Sequence, residues 1–257
     1  MKLISSRDNP IFKRLKRLAE SARERRKTGL ALLDGAHLFA ACLDMGAVPQ
    51  QVVFSAEGWA DDEIRALLQK VPAERRVELA PALLAELSPV ETPSGVLVVI
   101  EILHLKPPTQ PEFCLLLEDV QDPGNLGSML RSAAAAGVQA AYLSSGCADA
   151  WSPKALRGGM GAHFVLTIEE RVPLAEKVAG FAGLTVAAGL QAGKSLYDLD
   201  LRGPVAFLVG NEGAGLSAEL LAAVRETVTI PMPGKIESLN AAAAAAVCMF
   251  ERVRQLR

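Results

Sequence analysis

Hydrophobic positions along this chain follow two alternating rhythms. Short apolar runs stand at residues 30–33, 52–54, 96–100, 114–117, 140–143, 164–168, 184–188, 205–209 and 228–230. Between them, apolar residues return every three or four positions, as at 36–43, 60–68, 81–87 and 239–255, and residues 1–28 read as a helix or two. The first rhythm suits strands buried on both faces and the second suits helices, so an α/β chain is predicted. Past residue 112 the alternation is regular enough to imply a mostly parallel sheet covered on both sides. The alanine run 241–246 lies in the last helix, and its small face suits a close helix contact within the chain or across a dimer.

The stretch His104-Leu-Lys-Pro-Pro-Thr-Gln-Pro111 continues neither rhythm, because its three prolines remove amide donors and fix φ. The expected organisation is therefore a smaller α/β domain at 1–103, a linker at 104–111 and a larger domain at 112–257.

With half of its 257 residues hydrophobic, the chain can bury one large core or two modest ones. No apolar run reaches the roughly 18 residues of a membrane span, and the basic N-terminus has no cleavage signature, so a soluble, cytoplasmic protein without a membrane partner is expected. Cys42, Cys114, Cys147 and Cys248 are far apart and sit in or beside apolar stretches, which suits free thiols in a reducing compartment. His37, His104 and His163 are equally scattered, and no metal site is expected.

The formal charge of −2 hides an asymmetry. Residues 1–27 hold ten bases and three acids, a net +7 that leaves −9 for the remainder. Such an arm, including Arg7, Lys13, Arg14, Lys16 and Arg17, suits the phosphate backbone of a nucleic acid. It also reads as a solvated charged helix, since Ile11, Leu15 and Leu18 form an apolar stripe.

Three C-terminal segments place polar residues just beyond an apolar strand, where open α/β sheets bind ligands. In the first, Glu118-Asp119 ends a strand, Asp122-Pro123-Gly124 turns the chain, and Asn125 stands where a cap is wanted for a helix ending at Gly137. Gly127 leaves space one turn before Arg131, whose guanidinium binds phosphate as a fork; alternatively Arg131 pairs with Asp119 or Asp122. The second, Gly210-Asn-Glu-Gly-Ala-Gly215, permits close backbone approach but lacks the spacing of a phosphate loop or dinucleotide fingerprint, and Glu212 disfavours phosphate. A helix is expected from about residue 216. In the third, Ile230-Pro-Met-Pro-Gly234 is a rigid apolar edge, and Ser238-Leu-Asn240 opens the last helix with Ser238 as its expected cap.

Together these segments resemble the SpoU family of RNA ribose 2′-O-methyltransferases, within the SPOUT superfamily. The likeness rests on Asn125, Gly127 and Arg131; on Gly210-Asn211-Glu212-Gly213; and on Ile230-Pro231-Met232 with Ser238-Leu239-Asn240. More loosely, Ser6-Arg7-Asp8-Asn9-Pro10 and Leu33-Asp34-Gly35 look like the family's substrate-binding domain. The resemblance implies a C-terminal domain threaded into a trefoil knot, S-adenosylmethionine as cofactor, a homodimer, and RNA as substrate, ribosomal in preference to transfer RNA because a recognition domain is included. It assigns the cofactor to loops holding Leu208, Gly210, Ile230, Met232 and Leu239, and an RNA-facing catalytic cluster to Asn125, Arg131, Glu212, Ser238 and Asn240. The chain departs from the family's usual pattern in its alanines 241–246, in a glycine of Arg157-Gly-Gly-Met-Gly161 where relatives often carry serine, and in Asp34-Gly35 where Glu-Gly is commoner. A noncatalytic RNA-binding relative is the competing reading, and it should have lost one of Asn125, Arg131 or Asn240; none is missing. A nucleotide-dependent enzyme would want a phosphate loop after the first strand, and there is none.

Overall fold

Helix α1 (Pro10–Glu20) starts at a strong local signal: Asn9 accepts a hydrogen bond from the Ile11 amide at 2.9 Å, and Pro10 fills a position that needs no amide donor. Ser21 ends α1 and caps α2 (Ala22–Thr28). Arg25, almost wholly buried, donates to the carbonyls of Leu18 and Ala19, which have no helical partner at the end of α1. The buried stripe of α1 is Phe12, Leu15 and Leu18; Ile11, expected in it, is only partly buried.

The computed structural model describes residues 3–189 and 193–257, and among these the chain falls into two compact units, Met1–Leu103 with Trp151–Phe164, and His104–Ala150 with Val165–Arg257. After α2 the first unit continues through β1 (Leu30–Asp34), α3 (Ala36–Asp44), β2 (Gln51–Phe54), α4 (Ala56–Ala60), α5 (Asp62–Gln69), β3 (Arg76–Glu78), α6 (Pro81–Ala85) and β4 (Val96–Glu101). Its sheet has the order β1-β4-β2-β3, with β4 antiparallel to both neighbours. Residues 96–100 of β4 are all buried because this central strand is covered on both faces.

The second unit holds β5 (Phe113–Leu117), α7 (Pro123–Ala136), β6 (Ala140–Leu143), then, beyond the excursion of α8 (Pro153–Gly159) into the first unit, β7 (Thr167–Glu169), α9 (Leu174–Gly180), β8 (Leu184–Ala188), β9 (Lys194–Ser195), β10 (Val205–Val209), α10 (Ala218–Ala223), β11 (Glu226–Thr229) and α11 (Ala241–Gln255). Its seven strands are all parallel, in the order β7-β6-β5-β10-β8-β11-β9. The central β5, β6 and β10 are buried at every residue. From β5 the chain steps outward to β6 and β7, then crosses to β8 and returns to lay β10 between β8 and β5. The reversal therefore falls between β5 and β10, which is where an open parallel sheet leaves a crevice at its carboxyl edge. The alanine face of α11 packs within the chain against α7, with Ala242 and Ala245 buried.

Several expectations shift here. The apolar run 164–168 is not one strand: residues Ala162–Phe164 form a 3-10 turn, and the strand starts at Thr167. Trp151, Leu156, His163 and Phe164 are buried, and α8 packs on β1, which places this part of the sequence 112–257 with the first unit. Within that unit the buried Asp34 accepts hydrogen bonds from Ser88 and, at 3.0 Å, from Arg157, and burial raises its carboxyl above the ordinary range. Residues 104–111 carry no regular element. Burial also raises the thiols, Cys42 to about 11 and Cys114 and Cys248 to about 12, which leaves them protonated and inert near neutrality. Among the described residues no helix is long and apolar enough to cross a membrane, and no group of three His, Cys, Asp or Glu side chains could hold a metal ion.

Candidate functional site

Because β5 and β10 lie side by side in register, Leu116 opposite Leu208 and Leu117 opposite Val209, the loops that follow them leave the sheet together. The Glu118 amide still donates to the Val209 carbonyl at 3.0 Å, extending the ladder by one residue. The Glu118 carboxylate then accepts the Ser217 amide at 2.7 Å, just before α10. The loop after β10 is closed by reciprocal backbone bonds between Asn211 and Gly215, at 3.0 and 2.9 Å. Gly210 lies so close to the returning chain that a β-carbon on it would stand 2.2 Å from the Gly215 carbonyl carbon, and Gly215 has φ +71°. Only glycine fits the first position, and the second favours it.

Asn125 is not the cap of α7. That role belongs to Asp122, whose carboxylate accepts the Asn125 amide at 2.7 Å, with Pro123 next in the first turn. The Asn125 side chain is thereby released: its Nδ2 donates to Glu212 Oε1 at 3.0 Å, and its Oδ1 accepts from Asn240 Nδ2 at 3.1 Å. A second correction concerns α11. Its cap is Asn240, whose Oδ1 accepts from the amides of Ala242 and Ala243 at 2.9 and 3.3 Å, whereas Ser238 is exposed in an irregular run two residues earlier. A carboxamide has one accepting and one donating end. With Oδ1 of Asn240 committed to the cap, its Nδ2 faces Asn125, and Asn125 in turn presents Nδ2 to Glu212. Donors and acceptors alternate without conflict along Asn240, Asn125 and Glu212, three residues from three distant segments.

Arg131 and Ser238 do not join this cluster. Arg131 is exposed, and among the described residues its guanidinium makes no ion pair or hydrogen bond, so it pairs with neither Asp119 nor Asp122. Six residues of α-helix turn a side chain through about 240° and advance it about 9 Å, so Arg131 and Asn125 leave α7 on different faces.

Of the residues linked to a cofactor, Leu208 is fully buried in the core beneath the sheet and offers a ligand only its backbone, and Gly210 is also buried. Ile230 and Met232 are half-buried, Leu239 is exposed, and Ile236 is, among the described residues, the most exposed large apolar one at 72%. The run 230–239 after β11 makes no backbone–backbone hydrogen bond with other described residues. Free amide and carbonyl groups beside exposed aliphatic side chains fit a purine, whose edge wants hydrogen bonds and whose faces want apolar contact. The residues present therefore fit S-adenosylmethionine.

The five bases proposed for RNA are mostly occupied. Arg7 pairs with Glu86, Lys13 with Asp8 at 2.8 Å, Lys16 with Glu20 at 3.8 Å and Arg17 with Glu24 at 3.7 Å, while Arg14 donates to Gln51 at 2.8 Å. The hydrogen bond from Arg7 holds the Glu86 carboxyl below its ordinary range, and that from Lys13 does the same for Asp8. Arg23, Arg26 and Lys27 on α2 are exposed and, among the described residues, unpaired; they were visible in the sequence only as part of the overall charge, since ion pairing is a tertiary property.

A parallel sheet reversing at β5 and β10, with an amide–carboxylate cluster and a free apolar loop at its carboxyl edge, is the arrangement expected of the SPOUT methyltransferases that the sequence resembles. The chain belongs to the SpoU rRNA Methylase family, whose profile matches residues 112–250, and residues 9–98 match the MRM3-like substrate binding domain. It is 33% identical to the 23S rRNA (guanosine(2553)-2′-O)-methyltransferase of Bacillus subtilis over 97% of this chain and 98% of that protein. It is 31% identical to the 23S rRNA (uridine(2479)-2′-O)-methyltransferase of Streptomyces viridochromogenes, over 98% of this chain and 92% of the other. Among solved structures, an RNA 2′-O ribose methyltransferase superposes with a TM-score of 0.84 at 30% identity, covering 99% of both chains. The SpoU methyltransferase AviRb of Streptomyces viridochromogenes, solved with S-adenosylmethionine, gives 0.82 at 29% identity over 96% of this chain and 98% of that one.

The double duty of Asn240 is separable. Asn240→Ala should lower unfolding free energy by about 1 kcal/mol through loss of the cap, whereas Asn240→Asp keeps the capping oxygen, loses the donor to Asn125, and should stay within about 0.5 kcal/mol of the parent. Urea titration of the two variants checks this; equal losses would mean that the cap contributes nothing.

Proposed function

We propose that this chain methylates the ribose 2′-hydroxyl of ribosomal RNA with S-adenosylmethionine, using Asn125, Arg131, Glu212, Ser238 and Asn240 at the carboxyl edge of the second unit's sheet. The observation that carries the reading is the hydrogen-bonded Asn240–Asn125–Glu212 chain at the strand reversal. The preference for ribosomal over transfer RNA is supported by the names of two relatives that span nearly the whole chain. When bound, the cofactor supplies a sulfonium-borne methyl group as electrophile.

The protein's part is to align the hydroxyl and manage its charge and proton. Glu212, with Oε1 engaged by Asn125, keeps Oε2 for an incoming O–H donor. Ser238, exposed in the apolar loop, is assigned a hydroxyl contact to the ribose. Arg131 carries a five-donor guanidinium, so it holds the hydroxyl or its neighbouring phosphate and stabilises developing negative charge. Leu208, Gly210, Ile230, Met232 and Leu239 form the cofactor side through backbone and apolar contact. The reading includes a homodimer, supported by the departure of Arg131 from α7 on a face other than that of Asn125: a second copy can supply what one copy's cluster lacks. A knotted path for residues after β10 is part of the same reading.

Phosphate contacts are assigned to α1 and α2 of the first unit, with Arg7, Lys13, Arg14, Lys16 and Arg17 joined by the unpaired Arg23, Arg26 and Lys27. Bases already paired to carboxylates release fewer counterions on binding, so the two groups should differ.

Arg131→Ala should reduce labelled-methyl transfer into ribosomal RNA at least 1,000-fold while S-adenosylmethionine affinity stays near normal; a matching loss of cofactor affinity would contradict its placement toward RNA, and label in transfer RNA alone would reassign the substrate. Mixing inactive Arg131→Ala with Asn240→Ala should restore activity if each site draws on two protomers. Failure of complementation, together with sedimentation as a 27.2 kDa monomer, removes the dimer. Replacing Arg23, Arg26 and Lys27 with glutamine should flatten the slope of log K against log salt by about 2 to 3, more than the same change at Lys13, Lys16 and Arg17; an unchanged slope for both sets makes the arm a bystander.

A further inference from the structure

Asn211 stands between Gly210 and Glu212, and nothing so far gives it a part in the reaction. Its side chain is nevertheless engaged at both ends. Oδ1 accepts from the amides of Gly213 and Ala214, at 2.9 and 3.0 Å, and Nδ2 donates to the backbone carbonyl of Asp119 at 2.9 Å. The first pair of bonds shapes the residue's own loop. The third ties that loop to the one after β5.

The acceptor of that tie is specially prepared. Asp119 has φ +53°, a left-handed conformation that few residues other than glycine adopt and that aspartate tolerates better than most. It is held there by Ser144, whose Oγ accepts from the Asp119 amide at 2.9 Å and donates to Asp119 Oδ1 at 2.6 Å. Gly146 leaves the room this needs, since a β-carbon at that position would lie 2.2 Å from Asp119 Oδ1. An uncommon backbone conformation persists where its surroundings over-determine it, and such places are frequent at functional sites. Here the surroundings fix the Asp119 carbonyl against Asn211, and the residue after Asn211 carries the carboxylate bonded to Asn125.

We propose that Asn211 is a positioning residue for methyl transfer: Ser144 sets the Asp119 carbonyl, that carbonyl holds Asn211, and Asn211 holds Glu212 in reach of Asn125. The claim rests on Glu212 acting in the site as described above. A misplacement of about 1 Å at a reacting centre costs on the order of 100-fold in rate, and the Asn211–Asp119 bond is the tie to the loop after β5 that lies next to Glu212 in sequence, so its loss should be felt in turnover.

The discriminating variant is Asn211→Asp. It is isosteric, keeps the oxygen that accepts from Gly213 and Ala214, and replaces the donor facing the Asp119 carbonyl by an oxygen. Expected are a fall in kcat of about 100-fold, with the KM for S-adenosylmethionine and the melting temperature near those of the parent. Added to Glu212→Gln, the same change should cost less than about 3-fold more, because both act through one carboxylate. Unimpaired kcat in Asn211→Asp, a loss that tracks reduced melting temperature, or full multiplication of the two effects would each overturn the proposal. Glu212→Gln at parental turnover would instead sink the reading of Glu212 itself. Should Glu212→Gln leave no measurable rate, or Asn211→Asp fail to fold, Ser144→Ala decides: it removes both bonds to Asp119, and a lower kcat at unchanged KM supports the chain of ties, while parental kcat refutes it.

Discussion

The pairing of β10 with β5 puts two strands separated by most of a domain's sequence into register, with Val209 opposite Leu117. The contacts that join the two loops at the carboxyl edge, Asn125 to Glu212, Asn211 to Asp119 and Ser217 to Glu118, follow from it. If β10 were placed outside β8, where chain order alone would put it, Glu212 would lie a strand's width further from Asn125 and the carboxamide chain would have no end. What drives the pairing is burial: all five residues of each strand are buried, and their backbone groups are satisfied only in a central position. The hydrophobic sheet centre thereby dictates the polar geometry above it.

Above the sheet, order is kept by side chains that serve local structure and the site together. Asn240 caps α11 and orients Asn125; Asp122 caps α7 and so frees Asn125; Glu118 meets the amide that precedes α10. Helix starts need acceptors for orphan amides, and the site meets that need with the residues that border it. A substitution at any of them changes stability and geometry at once, which is why variants that keep the capping oxygen while altering the other end are the informative ones.

The N-terminal arm carries a different lesson. Its +7 net charge is a property of the sequence, but four of the five bases first assigned to RNA meet carboxylates in the folded unit. Exposed pairs of this kind add little to stability. They do change which charges remain free, and the free ones gather on α2.

Much was legible from the chain alone. Central strands announced themselves because burial on both faces demands unbroken apolar runs, and residues 140–143, 184–188 and 205–209 are strands with the expected bounds. The edge strands β3 and β9 were not legible, since half-buried residues such as Arg76-Val77-Glu78 carry no such demand. The three polar segments and their resemblance to the SpoU family were also written in the sequence, as was the membership of Asn125, Glu212 and Asn240. Their roles were not. Asn125 and Ser238 both look like caps on local grounds, and only the folded chain shows Asp122 and Asn240 in those positions, because which of several neighbouring acceptors caps a helix depends on where the backbone turns. Composition and spacing determine which residues a fold can bury and which polar groups it must satisfy; the partner of each polar group is decided by tertiary contact, because a hydrogen bond forms only between groups that packing has already brought within about 3 Å.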